Sequence, residues 1–354
     1  MSSLTGAKVA KFLGLRGARF LATKVDVPEL IRQGRELGKA SSRAALASVR
    51  QEVEELQVKV GGLAPHELLA GAELKDVCGL VRVLSSALMP PQEAFFDAIG
   101  EQVAKVAKVP DSLDALAHFA LAAAEAGHWG ISQKVVKDLC FGGAASPNSL
   151  RGGGASALAL SAAANGALDA PLLEALVRSC SAGEMDLTPA HLGDLRLATV
   201  LAKGVLDKSD SKVLSFLRTM CNDVLLDDPR GAPPAWLQYS DYLTDAEHDL
   251  SQALESCELP HCRGTVINGA FFPVSSNALK AVICLEMADA GGAYFNGAFG
   301  RCTWQMWKYR VASAAGWRVY AIGKDDWETL KDTEQKVNFV RGLLQGSPLD
   351  LKAP

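Results

Sequence analysis

The chain has 354 residues, 49% hydrophobic and 21% charged, with 36 basic against 40 acidic side chains. That composition supports a folded core, so disorder is not the default, and no run of about 18 uncharged apolar residues is present to serve as a helical membrane span. A net charge of −4 excludes a protein that coats nucleic acid along its whole length, because neutralising phosphates requires a basic surface.

The length suggests about two domains. Aromatic residues make up only 6% of the chain, and the abundant alanine favours close-packed helices. The eight cysteines are dispersed through apolar text and read as reduced, buried thiols.

The first 24 residues, "MSSLTGAKVAKFLGLRGARFLATK", contain five basic residues and no acid. Lys8, Lys11, Arg16, Arg19 and Lys24 alternate with Val9, Phe12, Leu13 and Phe20, which gives a basic amphipathic helix of the mitochondrial presequence type. The plainer alternative is a basic N-terminal helix with no targeting role. Without this segment 31 basic side chains face 40 acidic ones, a net of −9. The charge is unevenly placed: residues from Pro260 onward carry 11 basic and 8 acidic side chains, whereas residues 25–259 stand at −12. Any nucleic-acid contact is therefore expected near the C-terminal end, and protein contact along the acidic middle.

Residues 25–70 read as a helical region, with Ser41 or Ser42 capping "SSRAALASVRQEVEELQVKV". A repeat occupies 71–225. "FALAAAEAGHWGISQKVVKDLC" ends at Cys140, "LALSAAANGALDAPLLEALVRSC" at Cys180 and "LATVLAKGVLDKSDSKVLSFLRTMC" at Cys221. A degenerate copy, "LVRVLSSALMPPQEAFFDAIGEQV", ends at Val103. Each unit predicts a helix stopped at a small residue (Ala87, Gly127, Gly166, Gly204), a short turn and a second apolar helix. Thr188 and Pro189 supply an N-cap and first-turn proline. Paired helices that cannot bury their apolar faces alone stack into an α-solenoid, an architecture suited to binding.

Residues 226–259 form a proline-rich linker, "LLDDPRGAPPAW", and a helix, "TDAEHDLSQALESC". In residues 260–350 the period changes. "TVINGAFFPV" and "LKAVICLEM" predict two strands joined by "SSNA". A glycine-rich loop, the helix "CTWQMWKYRVASAA", the strand "WRVYAI" and a final helix over "DWETLKDTEQKVNFVRGLL" follow.

That order, with "GWRV" entering a strand, "DW" opening the next turn and "EQKVNFVRGLL" closing, resembles the RAP domain, a small module related to restriction-endonuclease-like folds. The likeness covers roughly Gly264 to Leu344, with Glu286 of "ICLEMAD" at the family's acidic strand position. The upstream helix pairs resemble heptatricopeptide-type repeats that accompany RAP domains. The expected fold is thus mostly α: an α-solenoid followed by a small α/β domain. The resemblance implies organellar RNA binding, RNA maturation or structural service in mitochondrial ribosomes.

Endonuclease chemistry needs clustered carboxylates holding a divalent metal, plus a lysine. Only Glu286, Asp289 and Lys308 approach that set, and the strand "GAFFPVSS" carries no acid, so no catalysis is expected. For RNA, Lys308, Arg310, Arg318 and Lys324 are the expected phosphate partners, and Tyr309, Trp317 and Trp327 the expected stacking faces. Cys257, His261 and Cys262 lie close together but lack the paired spacing of a structural zinc site. "GRELGKAS" and "RGGGAS" miss the phosphate-loop pattern. No metal, cofactor or small-molecule substrate is expected. The expected function is a non-catalytic scaffold of the mitochondrial matrix, foremost a mitochondrial-ribosome component. It would contact rRNA through the RAP-like domain and proteins through the acidic solenoid. The alternatives are an RNA-processing endonuclease using Glu286 and Lys308, or a structural subunit of another mitochondrial complex without RNA contact.

Overall fold

A computed structural model describes residues 25–39, 43–106, 112–141, 149–182, 187–202, 204–221, 224–226, 243–286 and 303–351. The basic N-terminal segment, the Ser41–Ser42 cap, most of the proline-rich linker and the glycine-rich loop with Asp289 lie outside the described residues. The fold is mostly helical, with one small mixed sheet near the C-terminus. Among the described residues no helix is long and apolar enough to cross a membrane.

The chain opens with α1 (Val27–Gly38), α2 (Arg43–Ser48), α3 (Arg50–Gly61) and α4 (Pro65–Gly71). The single helix expected across Arg43–Val60 is interrupted at Val49, which leaves the helical region at φ −117° and ψ 36°. Four helix pairs follow: α5 (Leu74–Ser86) with α6 (Glu93–Val106), α7 (Leu113–Glu125) with α8 (Trp129–Phe141), α9 (Gly152–Ala164) with α10 (Ala170–Ala182), and α11 (Pro189–Leu201) with α12 (Ser211–Cys221). The first helices lie side by side, α5 on α7, α7 on α9 and α9 on α11.

The first three pairs share one turn. Met89 N–H donates to Leu84 O, His128 to Ala123 O and Ala167 to Ala162 O, each at 2.8 Å. The residue before each donor is left-handed: Leu88 at φ 60°, Gly127 at 81° and Gly166 at 66°. This is the Schellman closure, which satisfies carbonyls a helix end leaves open. In the fourth pair α11 ends at Leu201, and Gly204 at φ 95° turns the chain a few residues later. Thr188 accepts the His191 N–H as the α11 cap, with Pro189 in the first turn.

Helix α9, "GGGASALALSAAA", is buried on nearly all sides, as expected of a helix without a polar face. Its glycines admit close neighbours at the helix start. Asp114 of α7 reaches over the helix start, where Oδ1 accepts the Arg151 N–H at 2.9 Å. The ring of His191 packs against Gly153. Deeper in the layer the Arg82 guanidinium of α5 pairs with Glu125 of α7 and lies 3.8 Å from Asp194 Oδ2 of α11. Both carboxylates are buried.

The C-terminal unit comprises α13 (Asp245–Ser256), β1 (Cys262–Ile267), β2 (Ala270–Ser276), β3 (Ala281–Glu286), α14 (Thr303–Ala314), β4 (Arg318–Gly323), α15 (Lys324–Glu328) and α16 (Thr333–Gln345). The sheet order is β1-β2-β3-β4, with β1–β2 and β2–β3 antiparallel and β3–β4 parallel. "TVINGAFFPV", expected as one strand, is a hairpin. Asn268 and Gly269, both at positive φ (48° and 85°), form its two-residue turn, the geometry that right-handed strand twist favours and that Asn-Gly adopts readily. The last helix is likewise two: Asp332 caps α16 by accepting the Gln335 N–H at 2.8 Å and so separates it from α15.

Val282, Cys284, Val319 and Ala321 join the main core that runs into the helix pairs. Ala281, Ile283, Leu285, Tyr320 and Ile322 form the opposite face with Leu250, Leu254, Trp327 and Val340. Helix α14 packs against β2 and β4 and also against α7 and α11, so Trp304, Trp307 and Val311 lie in a core common to the module and the helix pairs.

Candidate nucleic-acid interface

Because β3 and β4 run parallel, they begin at the same end of the sheet, and this brings two turns together. The β2–β3 turn ends at Lys280, left-handed at φ 48°. The α14–β4 turn passes through Gly316 at φ 81°, closed by the Trp317 N–H donating to Ala312 O at 3.0 Å. The turns are tied: the Arg318 N–H donates to Lys280 O at 2.7 Å, and Arg318 Nη2 to Leu279 O at 2.7 Å. Lys280 Nζ stands 4.6 Å from the centroid of the Trp317 ring. Lys280 and Arg318 are exposed, while Trp317 is half-buried against the main core.

This end gathers two of the seven expected contact residues, Trp317 and Arg318, and adds Lys280. Nothing local in "SSNALK" marks Lys280; only the parallel pairing of β3 with β4 places it beside Trp317.

Three of the other expected contacts, Tyr309, Trp327 and Lys308, are buried and require correction. Tyr309 is 1% exposed. Its hydroxyl donates to Glu286 Oε1 at 3.2 Å and accepts from Gln305 Nε2 at 2.7 Å. Burial, with Cys284 and Glu286 nearby, raises its pKa well above the usual tyrosine range. Trp327 is also 1% exposed. Its indole N–H donates to Asp249 Oδ2 at 3.1 Å, and its ring meets Phe339 edge-on at a centroid distance of 6.3 Å. Neither ring presents a stacking face to solvent. Lys308 is buried, with Nζ 5.5 Å from the Phe272 centroid, and does not stand on the surface where a phosphate contact was expected. Arg310 is half-buried, and burial lowers its guanidinium pKa from the ordinary value. Lys324 opens α15, and its side chain lies outside the described residues.

Glu286, the residue on which endonuclease chemistry would turn, sits in the core at the end of β3. Cys257, His261 and Cys262 aim at different partners: Cys257 Sγ donates to Val337 O at 3.7 Å, while Cys262 Sγ accepts from Asn277 at 3.8 Å. His261 Nδ1 stands 3.0 Å from Leu259 O, so that nitrogen carries the proton and Nε2 accepts from Ser251 Oγ at 2.6 Å. Arg263 Nε donates to the same hydroxyl at 2.7 Å. Ser251 is fully buried, so this chain of bonds ties α13 to β1 and exposes no nucleophile. Among the described residues no group of three His, Cys, Asp or Glu side chains is arranged to hold a metal.

A scan against protein-family models finds no match, and a search of curated proteins finds no relative.

Proposed function

We propose that the chain is a non-catalytic RNA-binding scaffold of the mitochondrial matrix, foremost a structural component of the mitochondrial ribosome. In this reading the stacked helix pairs are a short α-solenoid that meets proteins through its acidic surface. The C-terminal unit is a RAP-like module that meets RNA at the Lys280–Trp317–Arg318 end. The order helix, three antiparallel strands, helix, parallel strand supports the restriction-endonuclease-like assignment, and the basic N-terminal segment supports the compartment.

The observation that carries the RNA reading is a pair of exposed cations flanking an indole, in the part of the chain that, beyond the basic N-terminal segment, has a positive net charge. Each cation that meets a phosphate contributes about −0.7 to the slope of log affinity against log salt on single strands. Arg318→Ala is expected to weaken RNA binding and flatten that slope by about 0.7. Co-sedimentation of the tagged protein with ribosomal particles tests the assembly. Migration as a free protein at low salt counts against it.

A second reading, a subunit of another mitochondrial complex without RNA contact, draws on the burial of Lys308, Tyr309 and Trp327. Ultraviolet crosslinking to RNA inside mitochondria separates the two.

A further inference from the structure

We infer that the sheet end takes an unpaired nucleotide. Its base replaces the Lys280 ammonium on the Trp317 ring, while the displaced ammonium and Arg318 hold the adjoining phosphates. This rests on the RNA-binding reading and adds the form of RNA and the movement that admits it.

Trp317 is a fixed platform. Its backbone is locked by the closure of α14, and part of its ring packs against the main core. The group over the ring is not fixed: Lys280 is exposed, and its ammonium, 4.6 Å from the ring centroid, sits at the end of a flexible four-carbon stem. An exposed cation–π contact is worth about a 2- to 5-fold preference, whereas one base stacked on an aromatic side chain is worth about 5- to 150-fold. Exchange of ammonium for base is therefore favourable, and the ammonium keeps a partner by moving to the nucleotide's own phosphate.

Arg318 does not need to move. Its Nη2 is engaged by Leu279 O, which braces a head with five N–H donors beside the platform. A paired base cannot use this arrangement. Its faces are covered by its neighbours in the stack, and duplex RNA is met by shape and 2′-hydroxyl contacts across a groove. The compact turn pair offers one ring and two cations, which matches a nucleotide in a loop, bulge or end.

The test is fluorescence anisotropy with the full chain and three end-labelled probes: short oligoadenylate, the same strand with abasic residues, and a hairpin duplex. Oligoadenylate is expected to bind about 10-fold more tightly than the other two. Trp317→Leu is expected to lose about that factor on oligoadenylate alone, while Trp317→Phe, which keeps a ring, retains most of it. Lys280→Ala is expected to lower the salt slope by about 0.7, which happens only if the ammonium leaves the ring for a phosphate. Circular dichroism of each variant establishes that it is folded. Equal affinity for all three probes, or a salt slope untouched by Lys280→Ala, overturns the inference and leaves RNA binding standing. Failure of the native chain to bind any probe, or equal competition by polyglutamate, removes both.

Discussion

A methyl group on Gly154 would overlap Asp114 Oδ1 and lie 3.1 Å from the Asp114 Cα, a tight approach to backbone. The carboxylate can swing aside only by giving up the Arg151 N–H that it accepts at the start of α9. Gly154→Ala therefore combines overpacking with loss of a helix-start bond, and the expected cost is about 2 kcal/mol. Chemical denaturation measures it. Asp114→Ala removes the bond and the clash with the carboxylate, leaving only the closer approach to the backbone, so the double variant is expected to be less destabilised than the two singles together; strict additivity would place the strain elsewhere. Side chains at the buried end of this scale are also where residue type misleads. Trp317 and Trp327 look alike in the sequence, yet the first stands half-buried at the surface and the second lies in the core with its N–H on Asp249.

Helices α5, α7 and α11 are joined by polar groups inside the layer. Arg82 pairs with the buried Glu125 and approaches Asp194. His118 on α7 has its imidazole pKa lowered to about 3, chiefly by burial and then by the Arg82 charge. Its ordinary value is 6.5, so the unfolded chain takes up a proton that the folded one refuses. Stability is full above pH 6.5 and falls as pH drops toward 3, by up to about 1.4 kcal/mol per pH unit from this group. Arg82→Met leaves buried carboxylates short of a cation and is expected to cost about 3–5 kcal/mol at pH 7. Because it also removes the repulsion on His118, the acid-side slope should become shallower. Urea titrations across pH 4–7 check both effects, and an unchanged slope would deny the coupling. Elements built on local chemistry were legible in the sequence: the left-handed stops at Gly127 and Gly166 and the Thr188–Pro189 entry to α11. The Asn268–Gly269 turn was also written there, but an apolar run on both sides masked it as one strand. The burial of Lys308 and Tyr309 was not legible, because α14 is covered by the sheet on one side and by α7 and α11 on the other and so shows no plain apolar stripe. Lys280 was hidden for a related reason, since its neighbour Trp317 is set by strand pairing 37 residues away in sequence.

At the scale of the molecule, α14 decides whether the acidic helix pairs and the mildly basic sheet unit behave as two bodies or one. A flexible tether between them would let each unfold alone. Instead α14 packs on α7 and α11 with one side and on β2 and β4 with the other, and Val311 and Ala312 on it have no exposed surface. Removing apolar volume from such a wedge withdraws contacts from both halves at once. Val311→Ala is expected to cost about 2 kcal/mol. Far-ultraviolet dichroism reports mainly the helix pairs, and fluorescence reports mainly Trp304, Trp307, Trp317 and Trp327 of the C-terminal unit. Both transitions are expected to shift together to lower temperature. A fluorescence transition that moves while the dichroism midpoint stays fixed would mean that the sheet unit is only leaning on the helices. The Lys280–Trp317–Arg318 end would then be free to reorient relative to the helix pairs, rather than being carried at a fixed position with respect to them.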